Sequence, residues 1–283
     1  MKTILITGFD PFGGESINPA WEAVKTMDGY TDGDYKVVTQ MVPTVRYTSV
    51  KTAIEAADTC NPDFILCVGQ AGGRPDITIE RVAINCDDFR IPDNGGNQPI
   101  DEPVVADGPS AYFATLPIKD MVNALHQVGI PARVSNTAGT FVCNHIMYGV
   151  LHYAAQKGNV KAGFMHIPYL PSQVVNKPDQ PSMAVETVRA TLETIVHVLA
   201  HGESLRQDDA HIALELGHTK ALSGFLFTRR NRINTGAHDF STIRRNMQCK
   251  DGIYKYEARH ISHIKPHMGH DFWHSKVNKE ELY

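Results

Sequence analysis

Among the five cysteines of this 283-residue chain (Cys60, Cys67, Cys86, Cys143 and Cys249), Cys143 has the surroundings that suit a nucleophile. The residues before it, Thr137-Ala138-Gly139-Thr140, are small, and those after it carry helical spacing in Ile146, Met147, Val150, Leu151 and Ala154. The pattern predicts a helix beginning at Cys143. At such a terminus, free backbone N–H groups and the positive end of the helix dipole favour thiolate over thiol. The same N–H groups can hold a developing oxyanion. The competing reading is a buried structural cysteine, which fits Cys67, in the apolar run Phe64-Ile65-Leu66-Cys67-Val68, better than Cys143.

A thiol nucleophile needs a base, and a base is best held at the end of a strand. His166 stands at the end of the strand-like run from Lys161 to Ile167, which Pro168 terminates. His145 and His152 are closer in sequence but fall along the sides of the helix that follows Cys143. A third group must accept from the other imidazole nitrogen to fix its tautomer. Glu80 lies inside the strand-like segment Thr78-Ile79-Glu80-Arg81-Val82-Ala83, where a carboxylate is costly unless paired. Two readings of Glu80 stand at this point: a partner for the histidine, or a salt bridge with a nearby arginine.

Two glycine-rich segments resemble phosphate loops only superficially. Gly8 to Gly14 has the spacing of such a loop but continues into Glu15, which would repel phosphate, and Gly69-Gln70-Ala71-Gly72-Gly73-Arg74 lacks the dinucleotide-binding order. Phe9 and Phe12 flank Asp10-Pro11 in the first loop, in a position expected to face solvent. They either form a slot for a flat uncharged ring or anchor the loop beneath the sheet. In the tail, His260, His263, His267, His270 and His274 would share a helical face, but Pro266 and Gly269 interrupt it and neither a cysteine nor a placed carboxylate completes a site. Neither a metal nor a cofactor is expected.

The elements that must position these residues alternate. Strands are predicted at Lys2 to Thr7, Tyr35 to Met41, Phe64 to Val68, Ile77 to Ile84, Ala132 to Ser135 and Lys161 to Ile167. Helices are predicted from Asn18-Pro19 onward, Arg46 to Ala57, Ile118 to Gln127, Asn144 to Gln156 and Ser182 to Ala200. Runs apolar on both faces imply strands covered on each side, so the fold class is α/β: a single three-layer α/β/α domain with a mostly parallel twisted sheet. Asn85 to Pro117, rich in Asp, Asn, Gly and Pro, is expected to form a protruding hairpin or an oligomer contact. The chain carries a net charge of -4, and the balance shifts along it: residues 1–202 hold 14 Lys and Arg against 21 Asp and Glu, whereas residues 203–283 hold 13 against 10 together with 8 of the 14 histidines. We therefore place a domain boundary near Gly202, with 203–283 an extension of uncertain fold. No signal-peptide core or membrane span is expected, the odd and scattered cysteines suggest a reducing cytoplasm, and nothing points to nucleic acid.

Five ordered segments carry a family resemblance. They are Gly8-Phe-Asp-Pro-Phe-Gly-Gly-Glu15 with Asn18-Pro19, Gly69 to Arg74, Ile79-Glu-Arg-Val-Ala-Ile-Asn85, Ser135-Asn-Thr-Ala-Gly-Thr-Phe-Val-Cys-Asn144, and Phe164-Met-His-Ile-Pro168. Together they resemble the pyroglutamyl peptidase I family of cysteine peptidases. The resemblance implies removal of N-terminal pyroglutamyl residues by a triad of Cys143, His166 and Glu80. It also implies that Phe9 and Phe12 flank the lactam ring, that backbone groups around Gln70 and Phe141 bond its amide, that Arg90 lies near the oxyanion, and that the chain assembles as a dimer or tetramer. Family members usually stop near the helix matching Ser182 to Ala200, so residues 203–283 depart from the pattern. A broader thiol amidohydrolase and a silent binding protein of the same fold are the alternatives.

Overall fold

The computed structural model describes residues 1–202 and, in the later chain, the backbone of two paired segments at 249–250 and 253–254. The remainder of the predicted extension, including the five tail histidines, lies outside the described residues. In chain order the elements are β1 (Lys2–Phe9), α1 (Pro19–Val24), β2 (Thr31–Asp32), β3 (Tyr35–Val42), α2 (Thr48–Cys60), β4 (Phe64–Gln70), β5 (Ile77–Glu80), β6 (Val82–Ile84), β7 (Ala111–Phe113) and α3 (Ile118–Gln127). They continue as β8 (Ala132–Ser135), α4 (Val142–Lys157), β9 (Lys161–Ile167), α5 (Pro171–Val174) and α6 (Val185–His201), and the described tail segments are β10 (Cys249–Lys250) and β11 (Ile253–Tyr254).

Local chemistry explains the boundaries. Asn18 caps α1 by accepting from Ala20 N–H at 3.0 Å, and Pro19 takes the first helical position, where a missing N–H costs nothing. The left-handed residues Gly158 and Gly202 end α4 and α6. In the tail, β10 and β11 pair antiparallel.

The main sheet has seven strands in the order β2-β3-β1-β4-β9-β5-β8. Strands β3, β1, β4 and β9 run parallel, while β2 is antiparallel to β3. β5 is antiparallel to β9 and carries β8 parallel beside it, so these last two oppose the central four. Alternation along each strand feeds two cores. Ile4 and Ile6 of β1, Leu66 and Val68 of β4 and Met165 and Ile167 of β9 join α3 and α6 on one face. Leu5, Ile65, Cys67 and Phe164 join α2 and α4 on the other. Burying each such Leu, Ile or Phe contributes roughly 1.5–3 kcal/mol.

The predicted strand from Ile77 to Ile84 is corrected: it is two strands in two sheets. Arg81 hands the chain over, its N–H donating to Ser135 O at 2.8 Å on the β8 side and its carbonyl accepting from Ala114 N–H at 2.9 Å beyond β7. β6 then pairs antiparallel with β7, closing the Asp- and Gly-rich segment into a hairpin. Its long connection is tied down by buried polar side chains. Asp93 accepts from the N–H groups of Arg46, Gly95 and Asn97 at 2.6, 2.8 and 2.8 Å, and Asn85 bonds Val105 in both directions. These bonds add to the apolar anchors of the same segment, Phe89 and Val104, which are buried in the core.

Candidate active site

The helix that carries Cys143 starts one residue before it. Phe141 is the N-cap of α4, and the first helical backbone bond runs from His145 N–H to Phe141 O at 3.1 Å. The N–H groups of Val142, Cys143 and Asn144 therefore precede any intrahelical acceptor, as at every helix start. The predicted helix terminus holds, but its approach differs from expectation. β8 opposes the central strands, so Ser135 ends at the level of Glu80 rather than at the shared carboxyl edge of β1, β4 and β9, and the loop 136–141 returns the chain to that edge.

Cys143 is only half-buried as a residue, yet its sulfur is set deep. A Cβ built on Gly69 would stand 3.1 Å from Cys143 Sγ and 2.7 Å from Phe164 Cζ. The thiol thus sits over the bare backbone of β4, and the strand partner of Gly69 is His166 of β9.

His166 is 4 % exposed and shares its face with Glu80 through the antiparallel pairing of β5 and β9. Thr78 lies directly opposite His166, and Glu80, two residues on, projects from the same face as its diagonal neighbour. His166 Nδ1 meets Glu80 Oε1 at 2.8 Å. The same carboxylate oxygen accepts from Arg74 Nη1 at 2.8 Å, and that nitrogen also donates to Thr78 Oγ1 at 2.6 Å. The two readings of Glu80, histidine partner and arginine salt bridge, are both realised on one oxygen atom. Arg74 is the member that residue-level reading did not single out, since its position in a glycine-rich turn carries no periodic signal.

The electrostatics follow from burial. Desolvation would raise the Glu80 pKa, but the hydrogen bonds and charges of His166 and Arg74 on Oε1 more than offset it and hold the carboxyl below its usual range. Burial pushes the His166 imidazole down, against the pull of Glu80 and with the help of the Arg74 charge. The Cys143 thiol is driven up to about 12 by desolvation and the Glu80 carboxylate, with Arg74 acting in the opposite sense. The lowered thiol pKa expected at the helix start is therefore corrected: burial raises the Cys143 thiol and lowers the His166 imidazole, and both shifts favour the neutral forms.

The neighbouring histidines are occupied. His145 Nδ1 bonds Asp87 Oδ2 at 2.8 Å, resembling a second Asp–His pair, but its Nε2 accepts from Tyr47 N–H at 2.9 Å. His152 bonds Tyr112 Oη at 2.9 Å and the Gln156 amide at 2.9 Å. His166 alone of the three bonds protein through Nδ1 while its Nε2 has no hydrogen-bond partner among the described residues.

One of the remaining predicted residues is corrected. Phe9 is not exposed: it ends β1, is 3 % exposed, and packs on Phe164 with ring centroids 6.5 Å apart. Phe12 is half-buried and faces Phe141 at 6.3 Å, and Phe141 in turn lies edge-on to Phe89 at 4.7 Å. Gln70 Oε1 accepts from Gln173 Nε2 at 3.0 Å, so its side chain is fixed. Arg90 is exposed, and its guanidinium makes no hydrogen bond or ion pair among the described residues. Its segment is clipped to the loop that precedes Cys143, Thr140 Oγ1 donating to Asp88 O at 2.7 Å. Buried Asn144, next to Cys143, was not predicted as functional; it accepts from Ile84 N–H at 3.0 Å and donates to the carbonyls of Ile84 and Cys86, fixing the helix start against β6.

The sequence profile of the family described as "Pyroglutamyl peptidase" matches residues 2–201. The chain belongs to the pyroglutamyl peptidase family. A pyrrolidone-carboxylate peptidase of Bacillus cereus is 58% identical over 199 residues, covering 70% of this chain and 93% of that one. One from Bacillus anthracis is 57% identical over the same length and coverage. The crystal structure of pyroglutamyl peptidase I from Bacillus amyloliquefaciens superposes with a TM-score of 0.70 at 48% identity, covering 72% of this chain and all (100%) of the other. A mutant pyrrolidone carboxyl peptidase from Pyrococcus furiosus gives 0.69 at 41% identity over 71% of this chain and 99% of that one. The family part of the chain thus ends where α6 ends.

Proposed function

We infer that this protein is a cysteine omega peptidase that hydrolyses the bond following an N-terminal pyroglutamyl residue, with Cys143 as nucleophile, His166 as general base and acid, and Glu80 as the group that orients the histidine. The observation carrying this reading is the Cys143 sulfur over Gly69, the strand partner of His166, with His166 held through Nδ1 by Glu80 at 2.8 Å.

Because thiol and imidazole both rest neutral, attack is coupled to proton transfer. His166 Nε2 takes the Cys143 proton as Sγ bonds to the pyroglutamyl carbonyl carbon, and the N–H groups opening α4 stabilise the resulting oxyanion. Glu80 stays ionised and balances the imidazolium. Collapse breaks the C–N bond, His166 returns its proton to the leaving amine, and a thioester remains on Cys143. Water, deprotonated by His166, then releases pyroglutamate and restores the thiol.

For the substrate, Phe12 and Phe141 with Phe9 behind them supply apolar walls for an uncharged lactam, backbone groups near Gln70 and Phe141 supply its polar contacts, and Arg90 supplies a cation near the oxyanion. A pocket with polar atoms for a ring carbonyl rejects proline, which would leave those atoms unpaired. Residues 1–202 form the catalytic body. Exposed Ile100 and Phe113 favour a homo-oligomer, and the free Cys60, Cys67, Cys86 and Cys143 favour a reducing cytoplasm. Among the described residues no helix is long and apolar enough to cross a membrane.

A pyroglutamyl arylamide assay under reducing conditions tests the assignment. The full chain and a chain ending at Gly202 are expected to turn it over while sparing the prolyl analogue, and Cys143→Ala is expected to lose at least ~10³-fold in kcat. Comparable prolyl turnover, or a normal rate in Cys143→Ala, contradicts it.

A further inference from the structure

Across the sheet from Cys143, on the α6 side, three side chains converge that the peptidase chemistry does not use. His197 and His201 stand four residues apart on α6, the spacing that puts two imidazoles on one helical face. Asp32 of β2 lies between them. Its Oδ2 is 3.0 Å from His197 Nδ1 and its Oδ1 is 2.8 Å from His201 Nε2. The two rings are tilted with centroids 4.4 Å apart. One potential ligand atom from each residue falls within 4.8 Å of the others.

Two further features hold the cluster. Gly33, with φ of 54°, turns the chain from β2 toward β3, and a Cβ there would stand 3.0 Å from His201 Cε1. A side chain on this turn would crowd the ring, which the bare glycine avoids. One helical turn before His197, Glu193 is already paired with Arg189 at 2.9 Å, leaving Asp32 as the carboxylate that meets the histidines. The side chains of Asp32, His197 and His201 are 18, 28 and 42 % exposed, open enough for an ion to enter.

We propose that Asp32, His197 and His201 form a binding site for a borderline divalent transition-metal ion, with Zn²⁺ as its simplest occupant. Two imidazoles and one carboxylate are the ligand types such ions take, and three protein ligands leave a fourth position for water. A tetrahedral ion with bonds of ~2.0–2.1 Å spaces its ligand atoms ~3.3 Å apart, a spacing the three side chains reach from present separations that all lie within 4.8 Å. Binding replaces the two N–H···O contacts: each neutral ring carries its proton on the other nitrogen, and the metal takes the freed lone pairs. The ion then clamps the last helix of the domain to the hairpin at the sheet edge, at the point where residue 203 and the rest of the chain depart.

The test uses the full chain carrying Cys143→Ala, so that no catalytic thiol competes for metal. Zn²⁺ is titrated calorimetrically into this protein and into versions that also carry His197→Ala, His201→Gln or Asp32→Asn, and thermal unfolding is followed with and without Zn²⁺. The parent is expected to bind one equivalent more than the histidine variants, or to bind it at least ~10-fold tighter, and to gain thermal stability from Zn²⁺ that those variants lose. Asp32→Asn, which keeps the side-chain shape, is expected to weaken binding without lowering the metal-free unfolding midpoint. Equal stoichiometry, affinity and thermal gain in parent and variants assigns the metal to other histidines of the chain and overturns the proposal, as does the absence of binding to the parent.

Discussion

At the scale of single residues, the unusual feature is that one oxygen of Glu80 serves both His166 and Arg74. The arginine keeps the carboxylate ionised, and its positive charge also makes protonation of His166 harder. Arg74 is thus a positioning residue whose effect reads out in pH dependence. The acid limb of kcat/KM reports protonation of the histidine in free enzyme, and burial places it below the ordinary histidine value of 6.5. Arg74→Met removes the repulsive charge, so the limb is expected to move to higher pH, with kcat reduced about tenfold. A pH–rate profile over the acid range checks this, and an unmoved limb would mean that Arg74 serves structure alone.

At the scale of elements, β4 and β9 must approach the start of α4 without a side chain between them, which is the task of Gly69. Gly69→Ala forces a methyl group to within 2.7 Å of Phe164 and 3.1 Å of the Cys143 sulfur. Overpacking of this kind costs ~1–3 kcal/mol, and displacement of the sulfur adds a loss of kcat of about 10²-fold. Denaturant unfolding and steady-state kinetics on the one variant separate the two effects; full activity would place the thiol elsewhere. This contact also marks where sequence reading stops. Lys161 to Ile167 and Ile118 to Gln127 were legible to the residue because each is an apolar run or stripe with a turn signal at its end. The reversal of β5 and β8 was not, since strand direction is written in pairing rather than in periodicity. The break at Arg81 was hidden because its two backbone bonds go to different sheets. Cys143, His166 and Glu80 could each be singled out by type and position, but the shared use of Glu80 depends on a diagonal contact between residues 86 apart in sequence.

At the scale of the whole molecule, the same buried groups set the pH range of stability. Glu80, Asp93 and His166 all have folded pKa values below their unfolded ones. Each therefore stabilises the fold above its unfolded pKa and loses that contribution as pH falls. The loss begins below 6.5, where His166 of the unfolded chain takes up a proton. Cys67 and Cys143, raised from 9.0 to about 12, act in the opposite sense: the unfolded chain releases protons first, so stability declines as pH rises past 9.0. Denaturation midpoints are expected to be flat between these limits and to fall on both sides. A midpoint that rises on acidification would contradict the buried neutral histidine.

The most direct test of the account is to quench the full chain during turnover of a pyroglutamyl peptide and map the acylated residue by mass spectrometry. Covalent catalysis through Cys143 predicts one pyroglutamyl group in thioester linkage on the peptide containing Cys143, formed and lost at rates that match kcat, and absent from Cys143→Ala. Turnover of the wild-type chain with no acyl group on Cys143, measured on a timescale that would trap one, would contradict it.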